Sequence, residues 1–290
     1  MTVADGAPLR AGGAVAGPPA ELRYRRRFDL PLFLGQLWRA RELTRTLVER
    51  ELRARYKQAF LGAAWAFIGP LGYVLVFSVF FNRVAKIDTQ GVPYVLFSYL
   101  GLIPWGFFSA GLGAGSGSLM SNMSLINKVA CPREVFPIAA VMTAFIDSAV
   151  SALALPVLFV ATGYAPRAAA IWLPLVFLVQ VAFTLGLALL LSSVLMFVRD
   201  VRHALPILIQ LLLFATPVAY GLNSVPQNLR GVYSFLNPLG PIIDSYRRTI
   251  LFGLAPRWSL LGLGAVMSFA MLLVGYGVFK RLETGFADVA

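Results

Sequence analysis

One carboxylate, that of Asp147, stands alone in the apolar stretch VMTAFIDSAVSALALP, which begins at residue 141. A carboxylate in such surroundings can relay a proton, as in a secondary transporter, or it can make a structural or pore-lining polar contact. Thr143, Ser148 and Ser151 are near enough along a helix to solvate it. We interpret Asp147 as a structural or pore-lining group, because it is the only acid in the core of such a stretch.

A second polar group lies in LNPLGPIIDSYRRTILFG, which begins at residue 236 and is broken by prolines. Asp244 and Arg248 are spaced i, i+4 and can pair on a helix, which leaves Arg247 without a partner. An unpaired arginine here would contact either lipid phosphate or an anionic substrate. We favour contact with the phosphate of a lipid headgroup. Asn237 and Pro238 belong to the same candidate site.

An aromatic stripe on one helix face is formed by Tyr73, Phe77 and Phe80, at positions i, i+4 and i+7. Sugar rings stack on aromatic faces through their apolar C–H surfaces, so the stripe is a candidate lining for a carbohydrate path. Lipid contact explains the same pattern equally well.

The stretch NKVACPREVFP, residues 127–137, separates two long apolar segments and carries charged residues between two prolines. It is unlike a continuing membrane helix, because proline removes a backbone donor and restricts the residue before it. The residues singled out there are Asn127, Lys128, Cys131, Pro132, Arg133 and Glu134. A second short polar connection, RDVRH, supplies Arg199, Asp200, Arg202 and His203.

Several kinds of site have no sequence signature in this chain. No Gly-x-x-x-x-Gly-Lys-Ser/Thr phosphate loop is present, and the run GLGAGSGS at residues 111–118 lacks the lysine and is typical of close helix packing. One cysteine and one histidine exclude a disulfide framework and a Cys- or His-rich metal site within one chain. No paired carboxylates or nucleophile–base set indicates catalysis.

Composition indicates an integral membrane protein. The 290 residues are 58% hydrophobic and only 13% charged, whereas soluble proteins have about 25% charged residues. The net charge of +12 raises the possibility of nucleic acid, but nearly half of the Lys and Arg residues precede the first apolar segment. Lipid headgroups explain that placement better, so we expect no nucleic-acid partner.

The amino-terminal part divides into two regions. Residues 1–28 form a basic tail rich in Ala, Gly and Pro, predicted to be disordered and to lack a signal-peptide core. Residues 29–57 predict an amphipathic helix that begins near Asp29 and Pro31 and carries an apolar stripe at Leu37, Ala40, Leu43, Leu47 and Val48. We interpret it as an interface helix on the membrane surface; a solvated helix packed on a soluble partner is the alternative.

Residues 58–290 predict an all-α membrane domain with six transmembrane helices. The predicted spans are 61–81, 94–119, 138–161, 169–197, 204–220 and 259–279. Segments on the amino-terminal side of the membrane carry more Lys and Arg than the opposite loops, which predicts that both termini are cytoplasmic. The apolar loop at residues 221–258 predicts two short re-entrant helices, because its prolines prevent a full span.

Taken together, these segments resemble the permease subunit of an ABC transporter of the polysaccharide-export type. The resemblance covers about residues 53–281. It is carried by RYKQAFLGAAWAFIGPL, LGLIPWGFFSAGL, LINKVACPREVFPIA, FVRDVRHALPILIQLLLFATPVAY and LNPLGPIIDSYRRTIL, in that order. The Ala/Gly/Pro leader and Ala59, where a small polar residue is expected, depart from the family pattern.

The resemblance implies roles that the residues alone do not give. In this family the connection between spans two and three is a cytoplasmic coupling helix that docks on the ATPase subunit, so residues 121–130 are expected to form it, with Lys128, Arg133 and Glu134 offering charged contacts. It also implies an interface helix, re-entrant helices, and a unit of two permease chains and two ATPase chains. ATP and Mg²⁺ would bind the ATPase, so no cofactor is expected on this chain.

Our leading hypothesis is therefore a homodimeric permease in the bacterial cytoplasmic membrane. It would export a polyprenyl-linked cell-surface polysaccharide, such as O antigen, capsule or teichoic acid, and would not itself be an enzyme. Two alternatives stay open: a permease of the same architecture for a small amphiphile or drug, and a membrane-embedded transferase acting on a polyprenyl lipid. An ordinary connector is the alternative for residues 127–137.

Overall fold

The structure is a computed structural model that describes residues 40–57, 65–126, 131–167, 169–198 and 200–286, together with residues 35, 38 and 128. Every regular element in these ranges is helical, so the all-α prediction holds for the described part of the chain. The predicted tail at 1–28, the predicted helix start at Asp29 and Pro31, and the residues Asn127 and Arg199 lie outside the described residues.

Eleven α-helices are numbered here in chain order through the described ranges. They are α1 (Arg41–Tyr56), α2 (Trp65–Phe77), α3 (Tyr94–Ser121), α4 (Met123–Ile126), α5 (Val135–Ala152), α6 (Ala154–Thr162), α7 (Leu173–Leu195), α8 (Val201–Ala215), α9 (Arg230–Leu236), α10 (Leu239–Arg247) and α11 (Trp258–Leu282). A π-helical segment, Ser78–Val84, extends α2, and another, Arg248–Phe252, extends α10.

Helix α1 has the two-sided pattern that the sequence predicts. Leu47 and Val48 are buried in a cluster with side chains from α3, α5 and α11. On the exposed side Arg45 and Glu49 form an i, i+4 ion pair of 2.9 Å. The apolar stripe of α1 therefore packs on the helical bundle, and its position relative to a membrane surface stays a prediction.

In the described part of the chain, four helical segments are long and apolar enough to cross a membrane: Tyr94–Ser121, Val135–Thr162, Leu173–Leu195 and Trp258–Leu282. The first has 28 residues and is about 42 Å long at 1.5 Å per residue, against a hydrocarbon core of about 30 Å. The other two predicted spans coincide with shorter apolar helices, Phe67–Phe81 and Val201–Ala215. The chain thus has several candidate spans, and the number six stays a prediction.

The predicted third span is interrupted. Helix α5 begins at Val135, three residues earlier than predicted, because Pro137 lies in its first turn, where the missing N–H needs no helical acceptor. Helix α5 then ends at Ala152, and α6 follows after a turn at Leu153. Val135–Thr162 is consequently two helices in series.

Helix α3 lies at the centre of the bundle, with most of its residues buried against α5 and α7. Gln180 of α7 is buried and donates to the carbonyl of Pro104 in α3 (2.7 Å), while its own side-chain oxygen accepts from Tyr246 of α10 (3.0 Å). Helices α7 and α11 approach closely where Gly186 meets Gly275, since a Cβ on either residue would overlap backbone of the other helix. These contacts fix the helices that surround the site.

The bundle has two ends. The end that carries the predicted coupling residues, named the coupling end after that prediction, contains residues 122–126, 128, 131–134, 200–203 and 280–286, and the opposite end contains residues 85–93 and 216–257. At the opposite end, α9 and α10 are two short helices separated at Asn237 and Pro238, as the proline pattern predicts. Their depth in a membrane stays a prediction.

Candidate functional site

A large cavity, with a volume of about 760 Å³, lies between α1, α2, α3, α5 and α8. Its polar and aromatic lining includes Tyr73, Trp105, Ser109, Ser116, Thr143 and Gln210. At the coupling end, Arg50, Asn122 and Arg202 also line it. A cavity that combines aromatic rings with hydroxyl and amide groups can hold a hydroxyl-rich molecule, because it supplies both stacking surfaces and hydrogen-bond partners.

The small-residue run at 111–118 has two faces. Gly111 and Gly115 lie against side chains of α5 and α7, so a Cβ there would be crowded by Thr184 or Ala188. Gly113 and Gly117 lie on the cavity side, with open space where a Cβ would be. The run therefore packs helices closely, as predicted, and also keeps the cavity wide, which the sequence pattern did not indicate.

Only one member of the predicted aromatic stripe lines this cavity. Tyr73 is half-exposed and faces it, whereas Phe77 is buried, with its ring 6.0 Å from that of Tyr73 and 5.5 Å from that of Phe81. Phe80 is exposed on the surface of the chain. The stripe is thus split between the cavity, the core and the exterior.

Asp147 borders an adjoining cavity of about 340 Å³ and is held by the end of α1. Its carboxylate forms an ion pair with Arg55, and its Oδ1 accepts a hydrogen bond from the hydroxyl of Tyr56 at 2.6 Å. Burial, together with this bond, raises the pKa of Tyr56 to about 12, so the phenol keeps its proton at neutral pH. Asp147 therefore acts as an anchor for α1 and is solvated by these two residues.

The predicted coupling helix is short within the described residues. Helix α4 contains only Met123–Ile126, and Lys128 follows it in a turn with an exposed side chain. Cys131 and Pro132 are half-buried, and burial raises the pKa of the Cys131 thiol. Among the described residues singled out in this connection, Lys128 is exposed, whereas Cys131, Pro132 and Arg133 are half-buried and Glu134 is buried.

Arg133 and Glu134, for which the resemblance implies contacts with an ATPase subunit, contact the end of α11 and the residues after it within this chain. Glu134 is 0% exposed, and one carboxylate oxygen lies 2.7 Å from Nζ of Lys280 on α11. Neither carboxylate oxygen accepts a well-aligned hydrogen bond, so the interaction with Lys280 is mainly one of charge. Arg133 donates to the carbonyl of Glu283 (2.5 Å) and lies over the ring of Phe286. These two residues join the start of α5 to the end of α11.

The second predicted connection is a turn between α7 and α8. Asp200 precedes α8, and Arg202 and His203 lie in its first turn, all three with exposed side chains. Arg202 also lines the large cavity. Together with Lys128 they are the predicted coupling residues that remain accessible in the described part of the chain.

The prediction that Arg247 is unpartnered is wrong. Its side chain is 2% exposed, and its guanidinium donates to the backbone carbonyls of Phe97 (3.0 Å), Pro217 (2.7 Å), Tyr220 (2.9 Å) and Val218. The group also lies 3.7 Å from the ring centre of Phe97. Because α8 ends at Ala215, the carbonyls of Pro217, Val218 and Tyr220 lie outside a helix, and Arg247 satisfies them together.

The predicted pair of Asp244 with Arg248 is also replaced by other contacts. Asp244 lies 3.7 Å from Nε of Arg257, and Arg248 donates to the carbonyl of Ala255 (3.0 Å). Asn237 donates to the hydroxyl of Thr216 (2.9 Å), which joins the α9–α10 corner to the end of α8. Among the described residues no group of three or more His, Cys, Asp or Glu could hold a metal ion.

Sequence reasoning missed Arg55, Tyr56, Lys280 and Arg257, each of which contacts a charge that had been singled out. Arg55 is 92 residues from Asp147, so helical spacing carries no information about their contact. The sequence did contain one signal that such partners exist. Charges are scarce in the apolar segments, and a lone buried charge requires a partner of opposite sign.

Comparison with known proteins finds a family model and relatives that match most of the chain. The family model described as "ABC-2 type transporter" matches residues 42–251. An O-antigen export system permease protein RfbA from Myxococcus xanthus is 32% identical over 254 residues, which cover 87% of this chain and 97% of the relative. A protein of the same name from Klebsiella pneumoniae is 25% identical over 88% of this chain and 96% of its own length. The polysialic acid transport protein KpsM from Escherichia coli is 23% identical over 81% of this chain and 91% of its own.

Proposed function

Since this chain belongs to the ABC-2 type transporter family, we propose that it is the membrane-spanning permease of an ATP-driven exporter of a lipid-linked cell-surface polysaccharide. The names of its relatives, which specify O-antigen export and polysialic acid transport, support this class of cargo. Their match over nearly the whole chain supports a shared role for the complete membrane domain. Within the molecule, the observation that carries the proposal is the 760 Å³ cavity with its polar and aromatic lining.

The physical requirement for such a path is clear. A chain of sugars cannot enter hydrocarbon without losing its hydrogen bonds to water, at a cost of several kcal/mol for each unsatisfied group. Ser109, Ser116 and Gln210 can replace part of that hydration, and Tyr73 and Trp105 offer flat apolar surfaces for sugar rings. The cavity is thus suited to hydroxyl-rich cargo.

We place the ATPase partner at the coupling end. The exposed side chains of Lys128, Asp200, Arg202 and His203 lie on the two connections of this end and form a mixed-charge surface. ATP and Mg²⁺ would bind on the partner, and two copies of each chain would form the working unit. The large apolar side chains of Leu211 and Phe214 are exposed beside the cavity on α8, which supports contact with lipid or a second copy.

The coupling end is proposed to be cytoplasmic, in the cytoplasmic membrane of a bacterium, with both termini on that side. Cysteines introduced at His203 and Asn228 test this, because an impermeant maleimide added to whole cells should label Asn228→Cys only. The native Cys131 gives a low background, since burial raises its pKa and so lowers its thiolate fraction. Labelling of His203→Cys from outside would reverse the orientation.

The proposal that the cavity is the path of the cargo is tested by filling the cavity with a side chain. Gly113→Leu and Gly117→Leu place a side chain into open space on the cavity side of α3, so both should fold and block the path. Gly262→Leu is the matched control, because Gly262 also has nothing within 4 Å of a Cβ but lies on α11 away from the cavity. Surface polysaccharide is measured in cells that carry each variant as their only copy, at equal permease levels.

We expect the two cavity variants to lose most surface polysaccharide and Gly262→Leu to retain it. Normal polysaccharide in the Gly113→Leu, Gly117→Leu double variant would show that the cavity is not the path. If deletion of the gene leaves polysaccharide unchanged but increases sensitivity to a small amphiphile, the drug-permease alternative replaces the proposal.

A further inference from the structure

A second cavity, of about 230 Å³, lies at the opposite end of the bundle and is rich in arginine. Its lining includes Asp88, Asn223, Asp244, Arg247, Arg248 and Arg257. It lies beyond the large cavity and shares no lining residue with it among the described residues. We propose that this cavity binds a phosphoryl anion, and that Arg248 and Arg257 are its ligands.

Arg257 supplies the first observation. Its Nη2 donates to the side-chain oxygen of Asn223 (2.7 Å), and its Nε faces Asp244 at 3.7 Å. Its Nη1 is buried and has no hydrogen-bond partner. A buried guanidinium N–H without an acceptor is costly, so this nitrogen requires an acceptor from outside the chain.

The balance of charge points to an anion. Four arginines, namely Arg230, Arg247, Arg248 and Arg257, act electrostatically on the single carboxylate of Asp244. Asp88 is the second carboxylate of the lining, and its Oδ1 accepts from the backbone N–H of Gln90 (2.7 Å). Positive charge is therefore in excess around the cavity, and a phosphoryl group of one or two negative charges would offset it.

The surroundings favour a phosphate carried by a lipid. Trp258 and Leu254 are half-exposed next to the cavity, and the ring of Trp258 packs against that of Trp172 at 4.7 Å between centres. Tryptophan is enriched where a membrane protein meets the headgroup region. A lipid phosphate could thus reach the arginines while its chains stay along the apolar exterior, although a soluble phosphate has the same chemistry. This inference does not depend on the cargo proposed above.

The test uses the full chain purified in an uncharged detergent and measures the thermal unfolding midpoint. One arm adds phosphatidylglycerol, with diacylglycerol as the lipid that lacks phosphate. The other arm adds inorganic phosphate, with sodium chloride at the same ionic strength. The variants are Arg248→Gln, Arg257→Gln and Arg257→Lys, and Arg53→Gln is the control, because its side chain is 76% exposed on α1.

We expect phosphatidylglycerol to raise the unfolding midpoint of the wild type and of Arg53→Gln. In Arg248→Gln and Arg257→Gln, the lipid concentration that gives half of the full rise should be higher by about tenfold or more. The half-saturating lipid concentration of Arg257→Lys should lie between those of the wild type and Arg257→Gln, because lysine keeps the charge but lacks the planar guanidinium group. A response to inorganic phosphate alone, with the same loss in the variants, would assign the site to soluble phosphate.

Two results would overturn the proposal. If neither probe raises the midpoint, the cavity holds water only. If Arg248→Gln and Arg257→Gln respond as the wild type does, any bound phosphate lies elsewhere. If Arg257→Gln does not fold, Arg248→Gln alone tests the proposal. Arg248→Gln is expected to fold, because Asp244 forms its ion pair with Arg257 and Arg248 contacts the carbonyl of Ala255.

Discussion

Two buried charges hold the two ends of this bundle together in different ways. At the opposite end, Arg247 is bound by four backbone carbonyls. At the coupling end, Glu134 is bound mainly by one side chain, that of Lys280. The first charge ties α10 to the broken end of α8 and to α3, and the second ties the start of α5 to the end of α11.

The difference determines how each junction can be changed. Backbone carbonyls are fixed by the path of the chain, so no second substitution can compensate for the loss of Arg247. A pair of side chains can be removed or exchanged together, because each partner is encoded separately. The opposite end is therefore expected to be rigid, whereas at the coupling end we expect a displacement of residues 131–134 to move the end of α11 as well.

The largest effect is expected for Arg247→Met. Removal of the guanidinium leaves the carbonyls of Phe97, Pro217, Val218 and Tyr220 without this donor, at a cost of about 3 kcal/mol or more in the free energy of unfolding. Arg247→Lys should recover only part of it, because an ammonium cannot reproduce the geometry of the fork. The free energy of unfolding of each variant, measured in detergent against the wild type, gives both losses.

An independent way to disturb the same contact is Gly101→Ala, because a Cβ there would overlap the guanidinium of Arg247. Gly106→Ala is its matched control on the same helix, with nothing within 4 Å of the added carbon. Equal stability of the two alanine variants would show that the carbonyl contacts of Arg247 do not hold this end.

The second effect concerns Lys280→Met, which removes the counter-charge that lies 2.7 Å from the buried carboxylate of Glu134, together with the contact of Lys280 with Glu283 (3.3 Å). We expect a loss of about 2–3 kcal/mol, less than for a fully buried pair because Lys280 is partly exposed. Glu134→Gln should lose less, and the double variant Glu134→Gln, Lys280→Met should be more stable than Lys280→Met alone. Additive losses in this double-mutant cycle would mean that the two residues are not coupled.

The sequence predicted those features that depend on neighbouring residues. The apolar runs indicated the long helices, the stripe with Leu47 and Val48 indicated the buried face of α1, and Pro238 indicated the break between α9 and α10. Helical periodicity reports only which face of one helix is apolar. The partners of Asp147, Glu134 and Arg247 depend on how distant helices cross, so the sequence could indicate that these charges needed partners but not which residues would supply them.

A smaller effect is expected at Asp147, which combines features of both junctions. Its partner Arg55 is 39% exposed, and pairs with that much solvent contribute only about 0–1 kcal/mol. Asp147→Asn should therefore cost about 1 kcal/mol in stability, well below Arg247→Met. If Asp147 anchored nothing and relayed protons instead, Asp147→Asn would leave stability unchanged and abolish transport; the unfolding midpoint and surface polysaccharide, measured together, separate the two roles.

The smallest effect is expected for Tyr56→Phe, and it depends on pH. The hydroxyl of Tyr56 donates to Asp147, and the phenol is kept protonated in the fold by a pKa raised to about 12, against an ordinary value of 10.0. A group whose pKa is raised on folding contributes stability that is complete below its unfolded pKa and is lost as the pH rises toward its folded pKa. The wild type should thus lose this contribution between about pH 10 and pH 12, and Tyr56→Phe should not show that loss.

At neutral pH the Tyr56→Phe variant should be about 0.5–1.5 kcal/mol less stable than the wild type, as for one hydrogen bond. Unfolding midpoints at neutral pH and at about pH 11 measure both quantities. A gap between the two proteins that stays constant over this range would show that the phenol does not hold α1 through its proton, and the attachment of α1 would then rest on Arg55 and the apolar stripe.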